Sequence, residues 1–325
     1  MRTYQYKSDM AKLLQCYLKE KKMTGFKFEK QARELESFDD YYYRKGYRGV
    51  KLTRPMAEEF IYGISYEKPS THYKKEILLN GFAEFLIRQG HQVYLPQIKS
   101  APVKRCAHVP YIFSEDELKR FFLAINKFPP NPQTNRDSLD PVLFRLLYGC
   151  GLRVSEALNL KLEDIDFKDG VITILGAKNG RDRLVPLAES LALRFSKLQR
   201  KLHTFSNTST YFFISPRSGR LDKSTVYERF RGYLLMAKIS HTKHGPRVHD
   251  FRHSYAVHCL KKWVLKGGEL TNLMPYLAAY MGHADFRGTQ YYLRLTADLY
   301  PDIIQKTEAT LGYLIPKEAY HEEDE

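Results

Sequence analysis

The sequence has few cysteines and no long apolar runs. Its four cysteines, Cys16, Cys106, Cys150 and Cys259, lack the C-x-x-C spacing of metal and redox motifs. A chain of 325 residues needs no disulfides to hold its fold, so we expect reduced thiols. The first residues, MRTYQYKSDMAK, contain no apolar segment typical of a signal peptide, and no later window approaches the roughly eighteen apolar residues that span a bilayer. We therefore expect neither a secreted nor a membrane-embedded protein.

Acidic residues are also scarce relative to basic ones. The chain has 52 Lys and Arg against 37 Asp and Glu, a formal net charge of +15. Because the last five residues, HEEDE, are mostly acidic, the rest of the chain is more basic still. This excess predicts a polyanionic partner, nucleic acid above all, with membranes and acidic proteins as the alternatives.

Helical signals dominate residues 1–95. Ser8 and Ser70 can each cap an amphipathic helix, and a further helical stretch ends at Gly46. Residues 96–112 contain Pro96, Pro102 and Pro110 together with basic residues, which favours an extended basic linker. We therefore predict a small all-helical domain followed by a linker.

A second domain is predicted over residues 113–300. It opens with the capping-box pattern of Ser114 and Glu117, and a further helix is expected near Asp140-Pro141. The segments VITIL and RLVPL flank an Asn-Gly turn and read as a hairpin, to which DIDF adds a possible third strand. The predicted fold class is mainly α with a small antiparallel β-sheet (α+β).

Four short segments of this second domain carry residues suited to phosphate chemistry: GLRVSEAL around Arg153, GAKNGRDRLVPL around Lys178, VHDFRHSYA with His249 and Arg252, and GHADFRGTQYYLRL with His283 and Tyr292. Each has an ordinary structural reading, since surface arginines, solvated hairpin lysines and helix-capping histidines are common. Their joint occurrence in this order is what calls for a functional reading.

Together the four segments resemble the active site of the tyrosine recombinases, the DNA strand-exchange enzymes that include phage integrases and Xer proteins. The resemblance covers about residues 113–300, with Lys178 eight residues before the proline of LVPL and Tyr292 nine residues after His283. It implies a two-domain DNA clamp, in which residues 1–95 form the core-binding domain and residues 113–300 the catalytic domain.

The resemblance also implies a role for each site residue. Arg153 and Arg252 would hold the nonbridging phosphate oxygens, and His283 would add a hydrogen bond to the same phosphate. Lys178 would protonate the leaving 5′-oxygen, and His249 would assist proton transfer at the attacking phenol of Tyr292. The product would be a 3′-phosphotyrosine, formed without a metal ion or other cofactor.

The two adjacent tyrosines cannot serve the phosphate equally. On a helix, Tyr291 and Tyr292 point about 100° apart, so only one faces a given phosphate. The histidine-to-tyrosine offset of the family selects Tyr292, which leaves Tyr291 as a packing or DNA-flanking aromatic.

Two other function classes compete with this reading. His249-Asp250-Phe251-Arg252-His253 resembles a zinc-binding H-E-x-x-H box, which would make the protein a metallohydrolase with His283 as a third ligand. The cation of Arg252 inside the box and the short aspartate count against it. The third reading, a DNA-binding protein without activity, leaves the six catalytic-type residues as coincidence. Type IB topoisomerases share the chemistry, but GLRVSEAL and the compact length favour a recombinase.

Partners and location follow from the resemblance. We expect a homotetramer on two synapsed double-stranded DNA sites, with accessory proteins as further partners, in the bacterial cytoplasm at the nucleoid. Residues 301–325 would form a tail that docks on a neighbouring protomer. Integration of a mobile element, transposition, dimer resolution and inversion all remain open as the biological role.

Overall fold

A computed structural model describes most of the chain and divides it into two compact units, Met1–His108 and Val109–Glu325. The residues described are 4–25, 28–100, 109–131, 133–176, 182–216, 219–242, 245–283 and 287–299. Lys178 and the tail 301–325 lie outside them. In the described residues, no helix is both long and apolar enough to cross a membrane.

The described part of the first unit is helical. Its helices are α1 (Ala11–Met23), α2 (Glu29–Arg44), α3 (Arg54–Tyr62) and α4 (Pro69–Arg88). They pack around an aromatic core in which the ring of Phe38 lies 5.1 Å from Phe60 and the ring of Tyr17 lies 5.4 Å from Phe82. Burial of these large side chains, rather than helix propensity, supplies most of the stability of such short helices.

Both helix starts predicted at serines are wrong by one or more residues. Helix α1 begins at Ala11 because Ser8 is held by the buried carboxylate of Asp39, which accepts hydrogen bonds from its hydroxyl and its backbone N–H. Helix α4 begins at Pro69, whose fixed φ and missing N–H suit the first helical position. Ser70 therefore lies inside the helix.

The described ends of the stretch predicted to be a linker, residues 96–100 and 109–112, each pack within one of the two units. The backbone carbonyl of Pro96 accepts a hydrogen bond from Asn80, and Ser100 donates to Glu76 through its backbone N–H. At the other end, Tyr111 packs against the core of the second unit. The boundary between the units falls at His108, four residues before the predicted end of the linker.

The described part of the second unit is also mostly helical. Its α-helices are α5 (Glu115–Asn126), α6 (Arg136–Gly149), α7 (Val154–Asn159), α8 (Glu189–Leu202), α9 (Lys223–Met236), α10 (Asp250–Leu265), α11 (Leu270–Met281) and α12 (Arg287–Leu299). The capping box predicted at Ser114 and Glu117 is present at the start of α5. Helix α6 begins at Arg136, so the start predicted near Asp140-Pro141 is wrong and Pro141 lies inside the helix.

The predicted sheet is confirmed. Strands β1 (Ile165–Asp166), β2 (Val171–Ile174) and β3 (Arg183–Pro186) form an antiparallel sheet in the order β1-β2-β3. A second pair, β4 (Ile214–Ser215) and β5 (Gly219–Arg220), is also antiparallel and was not predicted. The fold class, mainly α with small antiparallel sheets, is therefore confirmed.

The last three helices bring the C-terminal motifs together. Helix α10 packs against α6, α11 and α12, and α11 also contacts β3. Helix α11 ends at Gly282, which adopts the left-handed conformation with φ of 67°. Glycine tolerates this φ because it has no Cβ, and the chain can therefore turn sharply into His283.

Candidate active site

The five predicted site residues that the structure describes lie at helix ends or on neighbouring helix faces. Arg153 is the N-cap of α7 and His249 is the N-cap of α10, whose first turn carries Arg252. His283 follows the C-cap of α11, and Tyr292 lies in α12. The sixth, Lys178, belongs to the stretch between β2 and β3 that lies outside the described residues.

Arg252 is the most deeply buried cation of the site, with 2% of its surface exposed. Its Nη1 donates to the carbonyl of Gly151 at 2.6 Å, and its Nη2 donates to the carbonyl of Met281 at 2.7 Å. Burial lowers the pKa of Arg252 to about 10, and the nearby charge of Arg153 contributes in the same direction. The side chain remains a cation at neutral pH and keeps further N–H groups for an anion.

Arg153 shares a carboxylate with a second arginine. Its Nη1 donates to Oε1 of Glu156 at 2.7 Å, and its backbone N–H donates to Oε2 at 3.0 Å. Oε2 of Glu156 also accepts from Nη2 of Arg183 at 2.9 Å. Burial would raise the pKa of Glu156, but Arg183 and then Arg153 hold it below its ordinary value. One carboxylate therefore lies between two arginines.

Only one of the adjacent tyrosines is buried at the site. Tyr292 is 4% exposed and Tyr291 is 38% exposed. Burial raises the pKa of Tyr292 above its ordinary value, while the charge of Arg252 and a hydrogen bond with it oppose that shift. A phenol in contact with a fixed guanidinium can lose its proton at less cost than one buried without a cation.

Two histidines flank the ring of Tyr292. The ring of His283 stacks on it with centroids 5.8 Å apart, and its Nδ1 lies 2.8 Å from the hydroxyl of Thr289. The ring of His253 lies 5.4 Å from Tyr292 and 4.9 Å from His249. The ring of His253 is therefore near both the predicted proton-transfer residue, His249, and the phenol of Tyr292.

A cavity borders the site at His249. It has a volume of about 390 Å³, and its lining includes Arg231, Arg247 and His241 as well as His249. The two arginines give this opening a positive potential that suits a phosphate-bearing ligand.

The contacts of the HDFRH segment do not favour a zinc site. Asp250, in the position of a catalytic glutamate, instead accepts a hydrogen bond from the backbone N–H of Arg247 at 2.7 Å. The guanidinium of Arg252, inside the same segment, donates to the carbonyls of Gly151 and Met281. Across the described ranges, no group of three or more His, Cys, Asp or Glu side chains is arranged to hold a metal ion.

Comparison with known proteins identifies the family of this chain. The model of the phage integrase family matches residues 112–298, which is more than half of the chain. The chain belongs to the phage integrase family.

Its similarity to this family extends over most of the chain. The putative integrase/recombinase y4rB of Sinorhizobium fredii is 30% identical over 312 residues, which cover 93% of this chain and 98% of that protein. The tyrosine recombinase XerA of Pyrococcus horikoshii is 31% identical over 203 residues, which cover 62% of each protein. The predicted function, a site-specific tyrosine recombinase that cleaves and rejoins DNA, is therefore confirmed, and neither alternative has support from these relatives.

Two solved structures confirm the fold of this chain. The XerH recombinase bound to its difH substrate aligns with a TM-score of 0.60 at 20% identity, covering 89% of this chain and 82% of that one. A lambda integrase (75–356) dimer bound to a COC′ core site aligns with a TM-score of 0.59 at 18% identity, covering 86% of this chain and 94% of that one.

Three site residues escaped the sequence analysis as functional candidates. Glu156 lies in the segment GLRVSEAL and Arg183 in the segment RLVPL, but no sequence pattern indicates that the two side chains form an ion pair. The three-residue spacing of Arg153 and Glu156 was a usable signal, because an acidic residue at N3 commonly bonds back to the N-cap. Thr289, the partner of His283, carried no signal of its own.

Proposed function

We propose that this recombinase cuts duplex DNA by attack of Tyr292 on the scissile phosphate, with a 3′-phosphotyrosine as the intermediate. The observation that carries the proposal is the contact of the buried Tyr292 phenol with Arg252. Tyr291 is more exposed and lies on a different face of α12, with its ring 6.4 Å from that of His253. Because Tyr292 is 4% exposed, DNA must displace part of its surroundings before attack.

The two catalytic arginines stabilise the charge that accumulates on the phosphate. A pentacoordinate transition state carries extra negative charge on its nonbridging oxygens, and planar guanidinium donors match those oxygens better than an ammonium does. Arg252 has five N–H donors, of which the carbonyls of Gly151 and Met281 and the phenol of Tyr292 occupy one each. The remaining donors of Arg252, with Arg153 and His283, bind the phosphate.

Proton transfer is assigned to three groups. Tyr292 must lose a proton as it attacks, and His249 assists that transfer; the ring of His253 is near both, 4.9 Å from His249 and 5.4 Å from Tyr292. Lys178 protonates the leaving 5′-oxygen. The phosphotyrosine preserves the energy of the broken phosphodiester, so a second DNA end can rejoin without a nucleotide cofactor.

The assembly follows from charge and from related proteins. We infer a two-domain clamp on double-stranded DNA, because the net charge of +15 calls for a polyanion and the chain has two compact units. A lambda integrase tetramer bound to a Holliday junction supports a homotetramer as the active form. The tail 301–325 docks on a neighbouring protomer in this proposal, and the enzyme works at the bacterial nucleoid, with accessory proteins choosing the sites.

A nicked suicide substrate tests the nucleophile. On this substrate the fragment released after cleavage diffuses away, so the covalent adduct accumulates. Tyr292→Phe is expected to bind DNA and form no adduct, whereas Tyr291→Phe, which differs by the same single oxygen, is expected to form one. Peptide mapping then identifies the attached residue. An adduct on Tyr291, or one joined through a 5′-phosphate, would refute the assignment.

A further inference from the structure

We propose that Arg183 is a positioning residue of the active site, which holds Glu156 so that Arg153 remains available to the phosphate. The inference rests on the proposed function, because it names a residue that acts through Arg153 rather than on the DNA. Arg183 lies at the start of β3, and its side chain is 9% exposed.

Arg183 connects three elements through its guanidinium. Its Nη2 donates to Oε2 of Glu156 on α7 at 2.9 Å, and its Nε donates to the backbone carbonyl of Tyr280 on α11 at 2.8 Å. The Tyr280 hydroxyl in turn donates to the carbonyl of Pro186 on β3 at 3.1 Å. The strand is thus joined to the helix that leads into His283 by both its first and its last residue.

The main electrostatic consequence concerns Glu156. A carboxylate that paired with Arg153 alone would neutralise its charge and hold its guanidinium away from the phosphate. Arg183 donates to the same carboxylate, and it is the first of the groups that counter the burial of Glu156 and keep it ionised. With Arg183 in place, two guanidinium groups, those of Arg153 and Arg183, share one carboxylate, and the cluster remains positive.

The packing beside His283 depends on the same side chain. A Cβ built on Gly282 would lie 2.7 Å from Nη1 of Arg183, closer than real Cβ contacts allow. Arg183 therefore fills the space against the backbone of Gly282, next to the histidine that is proposed to bind the phosphate. In sequence, Arg183 also lies five residues after Lys178, so it anchors the strand that follows the proposed general acid.

The test compares Arg183→Gln with a matched control, Arg229→Gln. Arg229 has the same exposure of 9% and donates to a buried carboxylate, Asp140, at 2.8 Å, but it belongs to the α6–α9 contact. Both variants are expected to lower the melting temperature. We expect Arg183→Gln to slow single-turnover adduct formation by about tenfold to a hundredfold, the range seen when groups that orient a ligand are removed, with DNA affinity within about threefold. Arg229→Gln should retain cleavage within about threefold once folded.

Two further variants distinguish positioning from general destabilisation. Arg183→Lys keeps the charge without the planar fork, so its rate of adduct formation should lie between those of wild type and Arg183→Gln. It also replaces Arg183→Gln as the test variant if the glutamine variant does not fold. If Arg183 acts through Glu156, the effects of Arg183→Gln and Glu156→Gln must be less than additive in the double variant. Additive effects would overturn the proposal.

The controls separate this inference from the proposed function. Equal cleavage rates of wild type and folded Arg183→Gln, with a wild-type adduct on Tyr292, would overturn the role of Arg183 alone. A cleavage loss in Arg229→Gln as large as in Arg183→Gln would also overturn it, because the effect would then be loss of stability. If the wild-type protein formed no adduct on any tyrosine, the proposed function and this inference would both be wrong.

Discussion

Replacing Arg252 with lysine changes how the site responds to pH. Arg252 is 2% exposed, and burial lowers its pKa to about 10. The ordinary pKa of arginine lies well above this value, and the difference corresponds to about 3 kcal/mol that disfavours the cation in this environment. Arginine tolerates this penalty because it remains protonated far above neutral pH.

Lysine cannot tolerate a penalty of that size equally well. Its ordinary pKa is about 10.4, and its compact ammonium is more strongly hydrated than a guanidinium. The same burial therefore lowers the pKa of the lysine in Arg252→Lys into the pH range of mildly alkaline assay buffers. The variant should lose its cation as pH rises through that range, whereas the wild-type arginine keeps its cation.

The measurement is the second-order rate of adduct formation at subsaturating protein, which reports the ionisation of the free enzyme. At neutral pH we expect Arg252→Lys to be slower by about a hundredfold, as when one fixed donor to a developing oxyanion is removed. The ratio of variant to wild-type rate should then fall further between about pH 7.5 and 9.5. Arg252 also opposes the rise in the pKa of Tyr292, so losing the cation disfavours the ionised phenol as well and moves the ratio in the same direction.

A ratio that stayed constant across this pH range would refute the reasoning. The loss would then come from the geometry of the guanidinium fork alone, and burial at this position would not control the charge. The melting temperature of the variant, measured at each pH, provides the control for unfolding.

Three further predictions concern the assembly and its chemistry. EDTA should leave adduct formation intact, because the arginines and the proposed proton donors supply the needed charge; activity lost on chelation and restored by zinc or magnesium would contradict this. A fragment of residues 109–325 should bind DNA more weakly than the full chain, and binding by the full chain should fall steeply with salt; equal affinities would argue against a clamp. Removing residues after Leu299 should spare DNA binding and weaken synapsis; recombination at the wild-type rate would reject a role in trans.

Structural features that depend on signals within a few residues were predicted well. The capping box of Ser114 and Glu117 and strands β2 and β3 depend on local hydrogen bonds and on the alternation of apolar side chains. The relation of Tyr291 to Tyr292 follows from helix geometry, and their different burial agrees with it. Family resemblance added the order of the motifs, which no single segment carried.

Predictions of helix starts failed where tertiary packing outweighed the local signal. Ser8 has a side chain suited to an N-cap. However, the carboxylate of Asp39, which is 31 residues away, accepts hydrogen bonds from its hydroxyl and its backbone N–H. Proline is common at the first position of a helix, yet here the helix begins at Arg136 and Pro141 is buried inside it. Tertiary packing overrides local preference in both cases.

The partners of the arginines proposed as catalytic could not be predicted from the sequence for a related reason. Arg252 is held by the carbonyls of Gly151 and Met281, which are 101 and 29 residues away, and backbone carbonyls have no signature in a sequence. Arg183 reaches Glu156 across 27 residues and Tyr280 across 97. A buried guanidinium needs acceptors for its donors, so an arginine in an apolar motif predicts that such partners exist, but only the fold identifies them. The residues proposed to bind the phosphate are therefore visible as motifs, whereas those that hold them emerge only once helices α7, α10 and α11 are packed together.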